Sequence, residues 1–376
     1  MAAQNSKKRI LVMTNHSYML WQFRRELIME LLKNNAVYLC MPYVGHEEDF
    51  RNLGAKCIRI ELERRGTNPF KDLKLLSVYD AVIRKVKPDF VITYSIKPNI
   101  YGGLVCRRRK IPYYANVQGL GTAFQNRKTA PIVSLFYKEG IKGADKVFFE
   151  NEENALEFRK RGIVSEQQQV VLHGAGVNLS YFPYVPYPAN DIFHFLYLGR
   201  IMREKGVEEL FFAAEKLREE EQKKSEGTRK YFVLDIVGFF EEPYEERVKR
   251  LEEKGIVKFY GFQTDPRPFY ESSDCVVMPS YHEGMSNVNL EAAATGRPVI
   301  ATDIPGCREA IEEGMSGFLC RKADSESLLE RMRQMLDMSK ELREDMGKKA
   351  CLKMKMEFDR RKIVEETCSY FEGSKD

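Results

Sequence analysis

Strand-like and helix-like segments alternate along this chain, and the alternation runs through twice. Residues 9–14, 36–41, 56–62, 90–94, 113–117, 146–149 and 169–172 are short, β-branched and nearly continuous in apolar character. Between them lie stretches with apolar side chains at helical spacing, such as Leu20, Phe23, Leu27 and Leu31. The pattern restarts at 193–198 and continues through 232–237, 257–260, 275–278, 299–301 and 317–319. Strands alternating with helices indicate parallel βαβ units. The predicted class is α/β, with two Rossmann-like doubly wound domains facing each other across a cleft and ligand at the C-terminal strand ends. A stretch with three prolines, Tyr181 to Pro188, reads as an extended linker between them. The expected limits are 1–182 for the first domain and 183–359 for the second.

Composition excludes several classes. The longest apolar runs fall far short of a membrane span, and the polar start leads directly into a strand, so no signal peptide is expected. The eight cysteines form no Cys-x-x-Cys pair and the five histidines do not cluster with them. Free thiols in a reducing cytoplasm, and no metal site, are the expectation. A net charge of +5 is too small to imply nucleic acid. Locally, Arg107, Arg108, Arg109 and Lys110 form a basic run, followed by Arg127, Lys128, Lys138, Lys142 and Lys146. This fits either a solvated helix face or a surface that meets anionic lipid headgroups.

The stretch from Tyr281 to Glu291 carries the most chemistry. A strand, 275–278, ends at Pro279 and Ser280 and is followed by a small polar loop. A helix then begins near Val288. Backbone N–H groups at such a terminus bind phosphate, aided by the helix dipole. Glu283 sits in the loop and Glu291 on the helix, separated by at most roughly 12 Å at helical rise. That span suits two ends of a nucleotide-linked ligand; by itself it also fits a plain loop and an ordinary helix glutamate. A second strand, 193–198, ends in Gly199 and Arg200, with Lys205 and Gly206 just before another helix. Two cations at a strand end can clamp a diphosphate, the guanidinium bidentately and the ammonium as a point charge.

Together these stretches resemble the nucleotide-sugar site of family-4 retaining glycosyltransferases, which have the GT-B fold. The family's glycine-arginine and lysine-glycine element corresponds to Gly199, Arg200, Lys205 and Gly206. Its two glutamates separated by seven residues correspond to Glu283 and Glu291. The resemblance implies donor binding by Gly199, Gly284, Met285, Ser286, Asn287 and Glu291, and by the turn at Gly176, Val177 and Asn178. It implies catalytic roles for Arg200 and Lys205 on the leaving diphosphate and for Glu283 on the sugar. It further implies that residues 360–376, with the apolar set Ile363, Val364, Tyr370 and Phe371, cross back to the first domain.

A narrower likeness covers residues 10–125. Trp21 to Leu27, the run Lys97, Pro98, Asn99, and the loop Gly119, Leu120, Gly121 resemble bacterial enzymes that extend undecaprenyl-diphosphate-linked or capsular glycans. His16, Lys97, Gln118, Gly119 and Gly121 are the candidates for the acceptor or sugar side. Many members of the family place a histidine where this chain has Gln118, which can still donate and accept hydrogen bonds.

The function these features imply is transfer of a hexose or N-acetylhexosamine, with retention, from a nucleotide-diphosphate sugar, with UDP favoured by family frequency. The acceptor would be lipid-linked or polysaccharide, met at the inner face of the cytoplasmic membrane by a peripheral protein. No cofactor beyond the donor is implied. The oligomeric state is not encoded in any feature above. Alternatives are a catalytically degenerate binding protein of the same fold, or a transferase or epimerase acting on a soluble substrate. A Rossmann oxidoreductase would need Gly-x-Gly-x-x-Gly after the first strand, where this chain has Thr14, Asn15, His16, Ser17, Tyr18 and Met19.

Overall fold

The computed structural model describes residues 7–62, 69–119 and 130–372, and it divides into two compact units, residues 1–175 with 361–376 and residues 176–360. In the first unit, β1 (Arg9–Met13), β2 (Ala36–Met41), β3 (Lys56–Arg59), β4 (Phe90–Tyr94), β5 (Tyr113–Val117), β6 (Lys146–Phe149) and β7 (Gln169–Val171) form one sheet. Its order is β3-β2-β1-β4-β5-β6-β7 and its pairs are parallel. Side chains alternate across it: Ile10 and Val12 enter one apolar core, Leu11 and Met13 the other. Both faces are covered, which is why β1 and β4 lack polar residues at alternate positions.

The core of Leu11 and Met13 is closed by helix Pro69–Val86, through Leu75, Tyr79, Val82 and Ile83, and by helix Ala130–Ile141, through Tyr137 and Ile141. The core of Ile10 and Val12 is closed by helix Ser17–Asn34, through Leu20, Leu27, Ile28 and Leu31, and by helix Arg360–Glu372. Phe371 lies with its ring centroid 4.7 Å from Tyr114 and 5.4 Å from Phe90. Burying a phenylalanine of this kind contributes roughly 1.5–3 kcal/mol, which explains why a chain end carries Val364, Tyr370 and Phe371.

The second unit holds β8 (Phe193–Leu198), β9 (Phe232–Val237), β10 (Val257–Phe259), β11 (Cys275–Met278), β12 (Val299–Thr302) and β13 (Gly317–Cys320). Its sheet is parallel, in the order β10-β9-β8-β11-β12-β13. In both sheets the strand order reverses beside the first strand, between β1 and β4 and between β8 and β11. Ligands of doubly wound sheets bind outside the C-terminal ends of the strands at such reversals.

One expectation needs correction. The proline-rich stretch is not a free linker. Phe182 is buried in the second unit's core, and the Tyr187 hydroxyl donates to the Asp274 carbonyl at 2.8 Å. The fully buried Arg297 donates to the carbonyls of Val185 and Pro186 as well as to those of Tyr270 and Glu271. These bonds satisfy an extended segment that lacks N–H groups at its prolines, so the division falls at Ala175 and Gly176 rather than at Phe182 and Pro183. The last two helices, Lys340–Glu357 and Arg360–Glu372, are separated at Phe358, which is buried and whose carbonyl accepts the Val177 N–H at 2.8 Å.

Among the described residues all eight cysteines are free thiols, no group of three or more His, Cys, Asp or Glu could hold a metal ion, and no helix is long and apolar enough to cross a membrane.

Candidate active site

The two stretches singled out in the sequence leave the sheet from β8 and β11, the neighbours at the second unit's order reversal. Their loops touch. Gly206 has φ of +71°, and a Cβ there would lie 2.0 Å from the Pro279 carbonyl oxygen. Only glycine permits this backbone at this separation. The Tyr281 N–H donates to the Glu204 carbonyl at 2.9 Å, and the Tyr281 hydroxyl to Glu209 at 2.7 Å. Lys205 and Glu283 form an ion pair between the loops, each side chain only 14% exposed. Arg200 pairs with Glu241 at 2.6 Å. The buried Tyr197 lies against this group: its hydroxyl donates to the Arg200 carbonyl at 2.6 Å, and Glu283 adds to burial in raising its pKa.

A third loop supports the second. Gly306, at φ of +83°, would bring a Cβ within 2.4 Å of the Gly284 carbonyl oxygen. Its own carbonyl accepts the Ser286 N–H at 2.7 Å, and its N–H donates to Glu309 at 2.8 Å. This corrects the reading of Ser286: its N–H is committed to Gly306, and its hydroxyl caps helix Asn287–Ala294 by accepting the Asn289 N–H. The N–H groups of Met285, Asn287 and Val288 have no protein acceptor among the described residues. The Met285 side chain is part of the core, so backbone alone is on offer there.

Glu291 sits one turn into that helix, 7% exposed. It accepts the Tyr270 hydroxyl at 2.9 Å. Burial lifts its carboxyl to about 7, with the Tyr270 bond and the charge of Arg360 pulling the other way. The Arg360 guanidinium also donates to the Gly176 carbonyl at 3.0 Å, which ties the Gly176 turn to this side of the site. Asn178 is a turn residue: its side-chain oxygen accepts the N–H groups of Ser180 and Tyr181 at 3.1 and 3.0 Å. The structure thus gathers Gly199, Arg200, Lys205, Glu283, Gly284, Ser286 and Asn287 at one sheet edge. Glu291 and Gly176 stand beside it, and Asn178 has a local structural task.

Sequence reading missed two aromatic residues. Phe239 and Phe262 follow Gly238 and Gly261 at the ends of β9 and β10, and their exposed rings lie 6.2 Å apart. The Phe239 carbonyl accepts the Ile201 N–H at 2.9 Å, next to Arg200. The signal was present, since a large apolar residue directly after a strand-ending glycine has no core position to fill.

The remaining candidates lie in the first unit. His16 caps helix Ser17–Asn34, its Nδ1 accepting the Met19 N–H at 3.2 Å, which fixes the proton of a neutral ring on Nε2. The loops after β1 and β4 meet at Asn15 and Ser95, 2.8 Å apart, so His16 and Lys97 stand at that unit's order reversal. Lys97 lines a cavity of about 640 Å³ with Tyr43, Arg59, Glu61 and Lys74. Asn99, of the same run, is structural: buried, it accepts from the Thr93 hydroxyl and donates to the Asn116 carbonyl. Gln118 donates to the Met19 sulfur at 3.4 Å, and Gly119 follows it; Gly121 lies outside the described residues.

Two doubly wound units, with the loops of adjacent strands joined at the order reversal of the second, define a GT-B glycosyltransferase architecture. Residues 9–151 match the family described as Glycosyl transferase 4-like, and residues 188–352 the family described as Glycosyl transferases group 1. These matches span most of the chain, which belongs to this family of glycosyltransferases.

A relative from Campylobacter jejuni, N,N'-diacetylbacillosaminyl-diphospho-undecaprenol alpha-1,3-N-acetylgalactosaminyltransferase, is 29% identical over 88% of this chain and 90% of its own length. Among solved structures, a glycosyltransferase from Rickettsia africae superposes with a TM-score of 0.79 at 18% identity, over 99% of this chain and 100% of that one. Anabaena HepE, solved with UDP and glucose, superposes with a TM-score of 0.77 at 15% identity, over 97% and 100%.

Proposed function

We propose that this chain is a retaining glycosyltransferase that moves a hexose or N-acetylhexosamine from a UDP-sugar to a lipid-linked glycan. Its place would be the cytoplasmic membrane face, as a peripheral protein in bacterial surface-glycan synthesis. The observation that carries the proposal is the junction of the β8 and β11 loops. Gly206 packed on Pro279 and Lys205 paired with Glu283 bring cations, a carboxylate and unsatisfied N–H groups to one sheet edge. UDP is favoured by the presence of UDP in the solved HepE and by the exposed Phe239 and Phe262 rings, which suit a nucleobase. The lipid-linked acceptor is favoured by the Campylobacter relative, whose name specifies a diphospho-undecaprenol substrate.

In this reading Arg200, Lys205 and the N–H groups of Asn287 and Val288 hold the diphosphate. As the anomeric C–O bond breaks, negative charge grows on the leaving phosphate, and prearranged donors there stabilise it most when it is largest. Glu283 orients the sugar and keeps the Lys205 ammonium in place. The acceptor hydroxyl attacks on the face that the diphosphate leaves and passes its proton to a leaving phosphate oxygen. Glu291, ionised, accepts from the ribose hydroxyls.

The test is a thermal-shift panel of nucleotide sugars with wild type and Phe262→Ala. A ligand that binds only the folded state stabilises it by RT ln(1 + [L]/Kd). UDP-sugars should raise the midpoint most, and Phe262→Ala should reduce that shift while sparing any shift caused by inorganic pyrophosphate. Equal response to all nucleotides in both proteins refutes the base assignment, and no response to any of them refutes the donor class.

A further inference from the structure

Helix Ala130–Ile141 of the first unit buries Ala130, Tyr137, Gly140 and Ile141. Its packing is close: a Cβ on Gly140 would lie 2.5 Å from the Ile100 Cα, so the buried side has no room to rotate. The opposite side is not polar. Ile132, Leu135 and Phe136, at i, i+3 and i+4, are 58%, 61% and 46% exposed. Three large apolar side chains on one exposed helical face are more than the single scattered residues any surface carries. Cations border them: Lys138 and Lys142 follow on the same segment, and Arg107, from helix Gly103–Arg109, stands alongside, all exposed. The acid on this face, Glu139, is paired with Arg107 at 3.0 Å.

We infer that Ile132, Leu135 and Phe136 insert into an anionic lipid surface, with Lys138 and Lys142 at the headgroups. This rests on the reading of a lipid-linked acceptor and deepens it by naming the membrane-contacting element. A helix with an apolar face and basic flanks lies in the bilayer interface, held by buried apolar area and by attraction to anionic lipid. A second copy of this chain is a poorer occupant, because burying the apolar patch against itself would bring the same cations together. An anionic bilayer complements both the apolar and the basic part.

The experiment is co-sedimentation with phosphatidylcholine vesicles, with and without phosphatidylglycerol, at low and high salt. It compares wild type with Ile132→Ser/Leu135→Ser/Phe136→Ser and with Lys138→Glu/Lys142→Glu. Size-exclusion mass, melting temperature and UDP binding are recorded for each. Wild type should bind the anionic vesicles and keep part of that binding at high salt. The serine variant should lose binding about tenfold or more at either salt, and the glutamate variant should lose the salt-sensitive part. Masses, melting temperatures and UDP binding should not change, because these side chains are exposed and outside the donor site. Undiminished sedimentation of the serine variant overturns the inference. So does a wild type that binds no vesicle, or a wild-type dimer that the serine variant splits. UDP binding is scored separately, so failure of the membrane contact and failure of the transferase reading give different results.

Discussion

Replacing Glu291 by glutamine removes a carboxylate that the fold places where charge is costly. The carboxyl is 7% exposed and its pKa is lifted from 4.5 to about 7. The folded chain therefore binds this proton more tightly than the unfolded chain does. The sign follows: the contribution to stability is fully present below pH 4.5 and is lost as the pH rises through 7. A difference of about 2.5 pH units corresponds to roughly 3 kcal/mol, most of it lost between pH 5 and 8. Glutamine keeps an acceptor for the Tyr270 hydroxyl and carries no charge. Wild type should thus fall relative to Glu291→Gln by about 2–3 kcal/mol over that range. Urea unfolding by far-UV circular dichroism measures this. Parallel pH curves for the two proteins would refute the argument. The same proton reaches ligand binding: if ionised Glu291 accepts from ribose, wild-type affinity for UDP gains on that of Glu291→Gln as the pH passes 7.

Glu283→Ala should lower turnover at saturating donor by a factor of at least about ten while UDP affinity changes little, because charge develops near the sugar only during reaction. Kinetics paired with calorimetry separate the two effects, and unchanged turnover would remove Glu283 from the chemistry. Arg297→Leu should destabilise the second unit by roughly 3 kcal/mol or more, since it strands several carbonyls that now accept from a buried guanidinium. Unfolding by circular dichroism checks this, and a loss below about 1 kcal/mol would contradict it.

Much of the scaffold was legible because burial on both faces leaves a plain mark. Cys275–Met278 is apolar end to end, Phe193–Leu198 and Phe232–Val237 are so but for the paired His194 and Asp235, and all three stand where periodicity put them. Helix Glu245–Glu253 was not legible: only Val248 and Leu251 face the core, and charge fills the remaining positions. The end of helix Lys340–Glu357 has no glycine or proline to mark it and is met by a tertiary partner, Val177 bonding to the Phe358 carbonyl. In the proposed site, the charged residues and their spacing stand in the sequence itself. Their pairings do not. That Ser286 spends its N–H on Gly306, that Asn178 closes a turn and that Glu291 is buried against Tyr270 depend on loops far apart in sequence.

The central claim is sugar transfer from a UDP-sugar with retention. It is tested most directly by incubating the chain with an α-linked UDP-sugar and an undecaprenyl-diphosphate-linked saccharide and reading the new linkage by proton NMR. The account predicts an α-linked product, one UDP released per bond formed, and no product from Lys205→Ala at matched concentration. A β-linked product, or equal transfer by Lys205→Ala, would contradict it.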